Sequence, residues 1–237
     1  MSFFENEKYK NIEKIGSSFR DWKTNAEKIV LEYNYKNECK TIKKILKNYE
    51  HKAVLDLGCG KGDWILFFKE NGFEQILGLD IAISRLKMAV REGYNDICCS
   101  TANSIPLKSN SFECIISNNM FLHILNDSDR IEIFNEIKRV LNNNGIFIFN
   151  FIPKYRNVTN QNYFAGIEVE KMVELINKSG LKILQKLPAY FMWPTKGAHP
   201  IFAKFSTKFV YPLTDFLFSK FSNLNNAKEV YFLISKS

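Results

Sequence analysis

No stretch of the 237-residue sequence approaches the run of about 18 apolar residues that a membrane-spanning helix needs. Its start, Met1-Ser-Phe-Phe-Glu-Asn-Glu-Lys, has no signal-peptide core, so a cytoplasmic protein is expected. Cysteine is sparse and odd in number. Cys39, Cys59, Cys98, Cys99 and Cys114 include no C-x-x-C pair, which argues against a disulfide framework and against zinc. The three histidines, His51, His123 and His199, are scattered, and no metal is assigned. Acidic residues are in short supply, 25 against 33 Lys and Arg, for a formal charge of +8. The shortage is sharpest between Leu181 and Ser222, where lysines 182, 186, 196, 204, 208 and 220 meet the single acid Asp215. Such a surface suits an acidic acceptor, a nucleic acid or an anionic membrane face, and it equally suits a plain solvated lysine surface.

What the chain does have is one large supply of apolar residues, 46% of the total, enough for a single sizeable core and one domain. It also has Val54-Leu-Asp-Leu-Gly-Cys-Gly-Lys-Gly-Asp-Trp64, an apolar run broken by Gly58, Gly60 and Gly62 and resumed as Ile65-Leu-Phe-Phe-Lys-Glu. This reads as strand, glycine turn and helix, the arrangement in which a backbone turns sharply and lets a ligand come close. A dinucleotide fingerprint wants a third glycine three places after the second, to seat a pyrophosphate on the helix N-terminus. Asp63 occupies that place here. An acid beside a pyrophosphate is repelled, and Asp56 just before the turn points to a cationic partner such as an ammonium.

At these residues the sequence resembles the class I S-adenosylmethionine-dependent methyltransferases, whose first motif is acid-x-Gly-x-Gly-x-Gly at the end of the first strand. The resemblance implies S-adenosyl-L-methionine as cofactor, a molecule with an amino group and no phosphate. It extends downstream. Gln75-Ile-Leu-Gly-Leu-Asp80 reads as a second strand whose acid lies 20 residues after Gly60, as expected for a carboxylate delivered to ribose hydroxyls; the other reading is an N-cap for a helix over 84–91. Residues 95–100 read as a third strand. The stretch after it, Thr101-Ala-Asn-Ser-Ile-Pro-Leu-Lys-Ser-Asn-Ser-Phe-Glu113, is similar to the family's Gly-Asp-Ala-x-x-Leu-Pro-Phe-x-x-x-Ser-Phe-Asp, with Thr101 where many relatives carry an adenine-binding Asp. Cys114 onward is a fourth strand, and Ser117 to Asn119 fall where relatives line the methionine end of the cofactor. Arg139-Val-Leu-Asn-Asn-Asn-Gly resembles the family's Arg-Val-Leu-x-Pro-Gly-Gly, with Asn144 and Gly145 expected to make a positive-φ turn after a helix capped by Asp127 or Ser128. The cofactor-binding set implied is therefore Asp56, Gly58, Cys59, Gly60, Asp80, Ile81, Thr101, Ala102, Asn103, Ser117 and Asn118.

The expected fold is α/β: a Rossmann-like, seven-stranded sheet, mostly parallel with one antiparallel strand, helices on both faces, and an aromatic-rich helical cap. The expected organisation is an N-terminal helical cap segment at 1–51, with Ile29, Val30, Tyr33, Ile42, Ile45, Leu46 and Tyr49 at helical intervals; a cofactor-binding core at 52–187; an inserted acceptor-side lid at 188–227; and a final core strand at 228–237. The insertion holds four of the six prolines, and Tyr190, Trp193, Phe202, Phe205 and Phe209 among its aromatics. Connections of that length are more often functional than idle.

Direct transfer from a sulfonium needs mainly the alignment of nucleophile, methyl carbon and sulfur. The leading expectation is thus methyl transfer to a small-molecule acceptor, anionic or aromatic, by positioning, with His123 and His199 as candidate bases should one be required. RNA or protein as acceptor is the main alternative, but no Asn-Pro-Pro-Tyr-type motif follows the fourth strand and no RNA-binding domain is visible, so no nucleic acid is favoured. Contact with a membrane surface through the lysines stays open. A non-catalytic S-adenosylmethionine-binding protein and a nicotinamide-dependent reductase are the readings from other classes.

Overall fold

A computed structural model describes residues 25–47, 49, 53–153, 166–189, 200–212, 224, 227 and 229–236. Seven strands form one sheet: β1 (Ala53–Leu57), β2 (Gln75–Asp80), β3 (Ile97–Cys99), β4 (Phe112–Ser117), β5 (Leu141–Phe151), β6 (Leu181–Ala189) and β7 (Glu229–Lys236). Their order is β3-β2-β1-β4-β5-β7-β6. Every neighbouring pair among the first five is parallel, and β7 runs antiparallel to both β5 and β6. The expected fold class, a mostly parallel seven-stranded sheet with one antiparallel member, is the one observed. The order reverses between β1 and β4, and the carboxyl ends of strands flanking such a switch point form the crevice where ligands of open α/β sheets bind.

The central strands are apolar on both faces because both are covered. One face carries Leu55, Ile115, Phe147, Phe149 and Phe232, packed beneath α4 (Asp127–Val140) and α5 (Val169–Lys178). Phe121 inserts from the loop after β4 into this layer, its ring 4.5 Å from Phe149 and 5.2 Å from Phe134. Aromatic pairs of this kind add about 0.5–1.5 kcal/mol beyond area burial, which anchors the segment just past β4. The other face carries Val54, Ile116, Ile148 and Tyr231 under α1 (Asn25–Leu46) and α2 (Asp63–Glu70), with Trp64, Phe67 and Phe68 as the main filling. α3 (Ile83–Arg91) follows β2. The helix expected before the first strand is a single one of 22 residues, and its buried stripe, Val30, Asn34, Glu38, Ile42 and Ile45, has two polar side chains in its middle. Among the described residues no helix is long and apolar enough to cross a membrane.

Three local expectations are corrected. Asn126, not Asp127 or Ser128, holds the N-cap position of α4. Gly145 is not in the left-handed region, and α4 passes directly into β5 at Leu141. The helix needs no glycine cap there because its last carbonyls are taken from outside: Arg139 O and Val140 O accept the N–H groups of Asn110 and Ser111 at 2.9 and 2.8 Å. The positive φ sits at Asn110 instead, at 56°. Third, the N-cap of α3 is Ala82, with no side-chain bond, so Asp80 does not cap that helix. Of the insertion, the described part includes α6 (Pro200–Phe205) continued by a π turn, Ser206–Val210; Tyr190 and Trp193 lie outside the described residues.

Candidate active site

The glycine turn closes on itself. Gly58 and Cys59 both donate their backbone N–H to Leu79 O, at 2.7 and 3.0 Å. Gly60 N–H donates to Asp80 Oδ2 at 2.8 Å, and Gly62 N–H to Cys59 O at 2.9 Å. A phosphate-binding turn works by leaving such N–H groups pointing at the ligand. This one has spent them on β2 and, at Gly62, on the turn itself. Two of its glycines are dictated by geometry: at φ 84°, a Cβ on Gly58 would lie 2.9 Å from Met120 Cβ, and at φ 89°, one on Gly62 would lie 2.5 Å from Tyr94 Cδ2. The turn is stitched to the N-terminal helix as well, since Tyr35 hydroxyl donates to Asp63 O at 3.2 Å and its ring lies 5.6 Å from Trp64.

Asp56, at the end of β1, is 1% exposed, and its Oδ2 has no hydrogen-bond partner among the described residues. Burial, followed by the charges of Asp80 and Asp63, pushes its carboxyl well above the usual range. An orphaned acid beside a second acid is stabilised by a cation and destabilised by an anion. Asp80 is partly buried at the end of β2. Its Oδ2 holds Gly60 N–H and its Oδ1 holds Ala82 N–H, each at 2.8 Å. Burial raises its pKa, while the N–H groups of Ala82 and Gly60 and the Arg85 guanidinium pull it down. A carboxylate has about four lone-pair directions, so two remain for ligand hydroxyls.

The other sequence-picked residues sort by position. Cys59 is buried against Gly78, whose Cβ would meet its sulfur at 2.8 Å, and burial with the Asp56 and Asp80 charges keeps its thiol protonated. It serves as packing under the turn. Ile81 is half-buried directly after Asp80. Thr101 hydroxyl donates to Asn103 Oδ1 at 2.5 Å, and Asn103 Nδ2 donates to Glu132 Oε2 at 3.0 Å, so the Thr101 oxygen keeps its acceptor lone pairs free of its own proton. Ala102 packs against the core behind them. The backbone here is clamped by Arg139, which donates to Leu107 O and Ile105 O, both at 2.7 Å. Ser117 is fully buried at the end of β4, with its hydroxyl unpartnered. His123 ends a short 3₁₀ turn, Phe121–His123, and is half-buried. His199 lies outside the described residues.

Beyond β1 and β2 lies a second polar cluster, at the edge where β4 and β5 end and β7 begins; sequence reading picked Asn118 and Asn119 there but missed Glu38, Asn150, Glu229 and Tyr231. Asn118 Nδ2 donates to Glu38 Oε2 at 2.6 Å, and Tyr231 hydroxyl donates to Asn118 Oδ1 at 2.8 Å. Asn150 Nδ2 donates to Glu229 Oε2 at 2.9 Å and to Asn119 Oδ1 at 3.0 Å, while Asn119 N–H donates back to Asn150 Oδ1 at 2.6 Å. Asn119 adopts φ 60°, one of two non-glycine residues in the left-handed region among the described residues. The polar pair Asn34 and Glu38 in the buried stripe of α1 was the available signal for this cluster.

A seven-stranded sheet in this order, with only β7 reversed and a glycine turn beside an orphaned acid at the switch point, defines the class I S-adenosylmethionine-dependent methyltransferase fold. Residues 55–149, about two fifths of the chain, match a methyltransferase domain family, and that match together with the fold points to S-adenosyl-L-methionine as the cofactor. An uncharacterized protein of Methanocaldococcus jannaschii is 33% identical over 96 residues, 40% of this chain and 35% of its own length. Another from the same organism is 29% identical over 154 residues, 62% of this chain and 64% of its own. The chain thus spans about a third and just under two thirds of these relatives. Among solved structures, a S-adenosylmethionine-dependent methyltransferase of Thermotoga maritima, described as a possible histamine N-methyltransferase, superposes with a TM-score of 0.62 over 97% of this chain and 100% of its own, at 16% identity.

Proposed function

We propose that the protein transfers the methyl group of S-adenosylmethionine to a small-molecule acceptor by in-line displacement. The observation that carries this reading is the pairing of a turn whose N–H groups are internally used with the buried, unpartnered Asp56 Oδ2. That combination disfavours a pyrophosphate and favours an ammonium-bearing nucleoside. Asp56 would meet the amino group, the free lone pairs of Asp80 the ribose hydroxyls, and Thr101, oriented through Asn103, the adenine amino group. Gly58, Cys59, Gly60, Ile81, Ala102 and the β4 end at Ser117 and Asn118 would shape the remaining wall. When bound, the cofactor supplies a methyl carbon activated by the sulfonium; the chain's own task is to hold the acceptor in line and exclude water.

The N-terminal segment 1–51 and the insertion 188–227 are proposed to form the roof over the acceptor. Support comes from the rings of Tyr33 and Tyr211, 5.7 Å apart, which join α1 to the segment following α6. A hydroxyl acceptor would draw its base from His123 or His199 in this scheme. Calorimetry with adenosylhomocysteine and with nicotinamide dinucleotide, together with transfer of labelled methyl groups, tests the assignment. Saturable binding of the former alone is expected. Binding of the dinucleotide, or of neither, refutes it.

A further inference from the structure

Resting on the methyl-transfer reading, we propose that the acceptor is an amine, recognised as its ammonium by Glu229 and Glu38, and that Glu229 takes its proton before transfer. The location follows from topology. Cofactor grips lie on β1 and β2, on one side of the switch point; the ends of β4 and β5 lie on the other. Because β7 is antiparallel, with Phe151 paired to Val230, its first residue Glu229 arrives at that same edge. Glu229 and Tyr231 alternate onto the face covered by α1, where Glu38 enters from above.

Glu229 is 6% exposed, and its one hydrogen bond among the described residues is the 2.9 Å bond from Asn150 to Oε2. Its second oxygen takes none among the described residues, and none of their Lys, Arg or His side chains forms an ion pair with it. A buried carboxylate in that state is costly unless a cation completes it. Its orientation is fixed from behind: Asn119, held at φ 60°, occupies the rest of the Asn150 amide, which aims the Asn150 donor at Glu229. Strained residues of this kind persist where the surroundings over-determine them, often at functional sites. Asp56 Oδ2, the orphaned acceptor two strands away from β5 on the same face, marks the same edge as built for positive charge. Burial and the Glu38 charge raise the Glu229 carboxyl well above the usual range. An anionic acceptor, which the lysines of the insertion would favour, is repelled by two carboxylates here.

The step balances. The ammonium gives one proton to Glu229; the freed nitrogen lone pair forms the N–CH₃ bond; the C–S bond breaks and sulfur keeps its electron pair. The product leaves as a methylated ammonium, and Glu229 returns its proton to solvent.

The test uses the full chain saturated with adenosylhomocysteine and titrated calorimetrically with ethylamine, benzylamine and phenethylamine, then with the matching alcohols and carboxylates; labelled methyl transfer is read on the same panel. Amines alone are expected to bind and react. Glu229→Gln should cut amine methylation by about 10²-fold or more and weaken amine binding about tenfold, with adenosylhomocysteine affinity unchanged. Should that variant fail to fold, Glu229→Asp, which retracts the carboxylate, carries the comparison, with amine methylation reduced and adenosylhomocysteine affinity unchanged. Reaction of alcohols or carboxylates in place of amines, no amine binding, or undiminished amine methylation in the variant each overturns the inference. Absence of adenosylhomocysteine binding to wild type overturns the parent reading as well, and is distinguished by that.

Discussion

Asp80 bridges two backbone N–H groups in this structure and is proposed to hold the ribose, and one substitution separates the two roles. Its carboxylate bridges Gly60 N–H and Ala82 N–H at 2.8 Å each, pinning the glycine turn to the start of α3. Hydrogen bonds to a charged acceptor contribute about 1.5–3 kcal/mol each. Partial burial of the carboxylate costs something in desolvation, so the low end applies, and Asp80→Ala should lower the unfolding free energy by about 3 kcal/mol. For a chain of this size that is a fall of about 6–12 °C in melting temperature. If the remaining lone pairs hold the ribose, adenosylhomocysteine binding to the folded variant should weaken by about 1.5–3 kcal/mol, or ten- to a hundredfold. Asp80→Asn keeps the shape but sets its NH₂ against one of the two N–H groups, so it should show about half the stability loss. Differential scanning calorimetry reads the first effect and isothermal titration the second. An Asp80→Ala protein that melts like wild type refutes the bridging role; one that binds like wild type refutes the ribose role, whatever its melting temperature.

Asp56 gives a pH signature. Its carboxyl is raised in the folded state, so between the ordinary value near 3.8 and the raised one the folded chain binds more protons than the unfolded chain, and stability falls as pH climbs through that window. Asp56→Asn removes the group: urea midpoints of apo variant and wild type should diverge in the variant's favour as pH rises above that ordinary value, and a gap that stays flat with pH contradicts this. The same variant should lose about tenfold or more in adenosylhomocysteine affinity, as one charge-assisted contact is lost. Arg139→Ala deletes the donors to Ile105 O and Leu107 O and should cost about 2–3 kcal/mol in thermal stability; a loss under about 0.5 kcal/mol would show that solvent replaces the clamp. Gly62→Ala forces φ 89° on an L-residue and a 2.5 Å approach to Tyr94, for a combined loss of about 2–4 kcal/mol. Adding Tyr94→Ala should recover only the steric share, and a double-mutant cycle with no coupling would refute the contact.

The sheet was legible because its signals are local. Runs such as Val54–Leu57 and Ile146–Phe151 have to be buried on both faces, and each is followed within two residues by a strand breaker, Gly58 and Pro153. The same locality explains the errors. A positive-φ turn at Asn144 and Gly145 is a fair reading of a helix end in isolation, but the carbonyls of Arg139 and Val140 find their donors at Asn110 and Ser111, about thirty residues earlier in the chain. With those carbonyls satisfied, no capping residue is required. Gly145 is needed for a different reason: a Cβ there would come within 2.7 Å of Leu141 Cδ1.

The two halves of the site differ in the same way. Asp56, Gly58, Gly60 and Asp80 lie within one strand-helix-strand unit, where a fixed spacing places side chains by itself. Glu38 reaches Asn118 across 80 residues, Asn150 reaches Glu229 across 79, and Tyr231 reaches Asn118 across 113. No periodicity links such positions; they meet only because α1 lies over the sheet and β7 enters it reversed. A parallel seventh strand would carry Glu229 to the opposite edge and leave the β4 and β5 ends without an acid from this side. The reversal of one strand, legible only as an expectation of topology, therefore decides whether Glu229 joins Glu38 at the ends of β4 and β5.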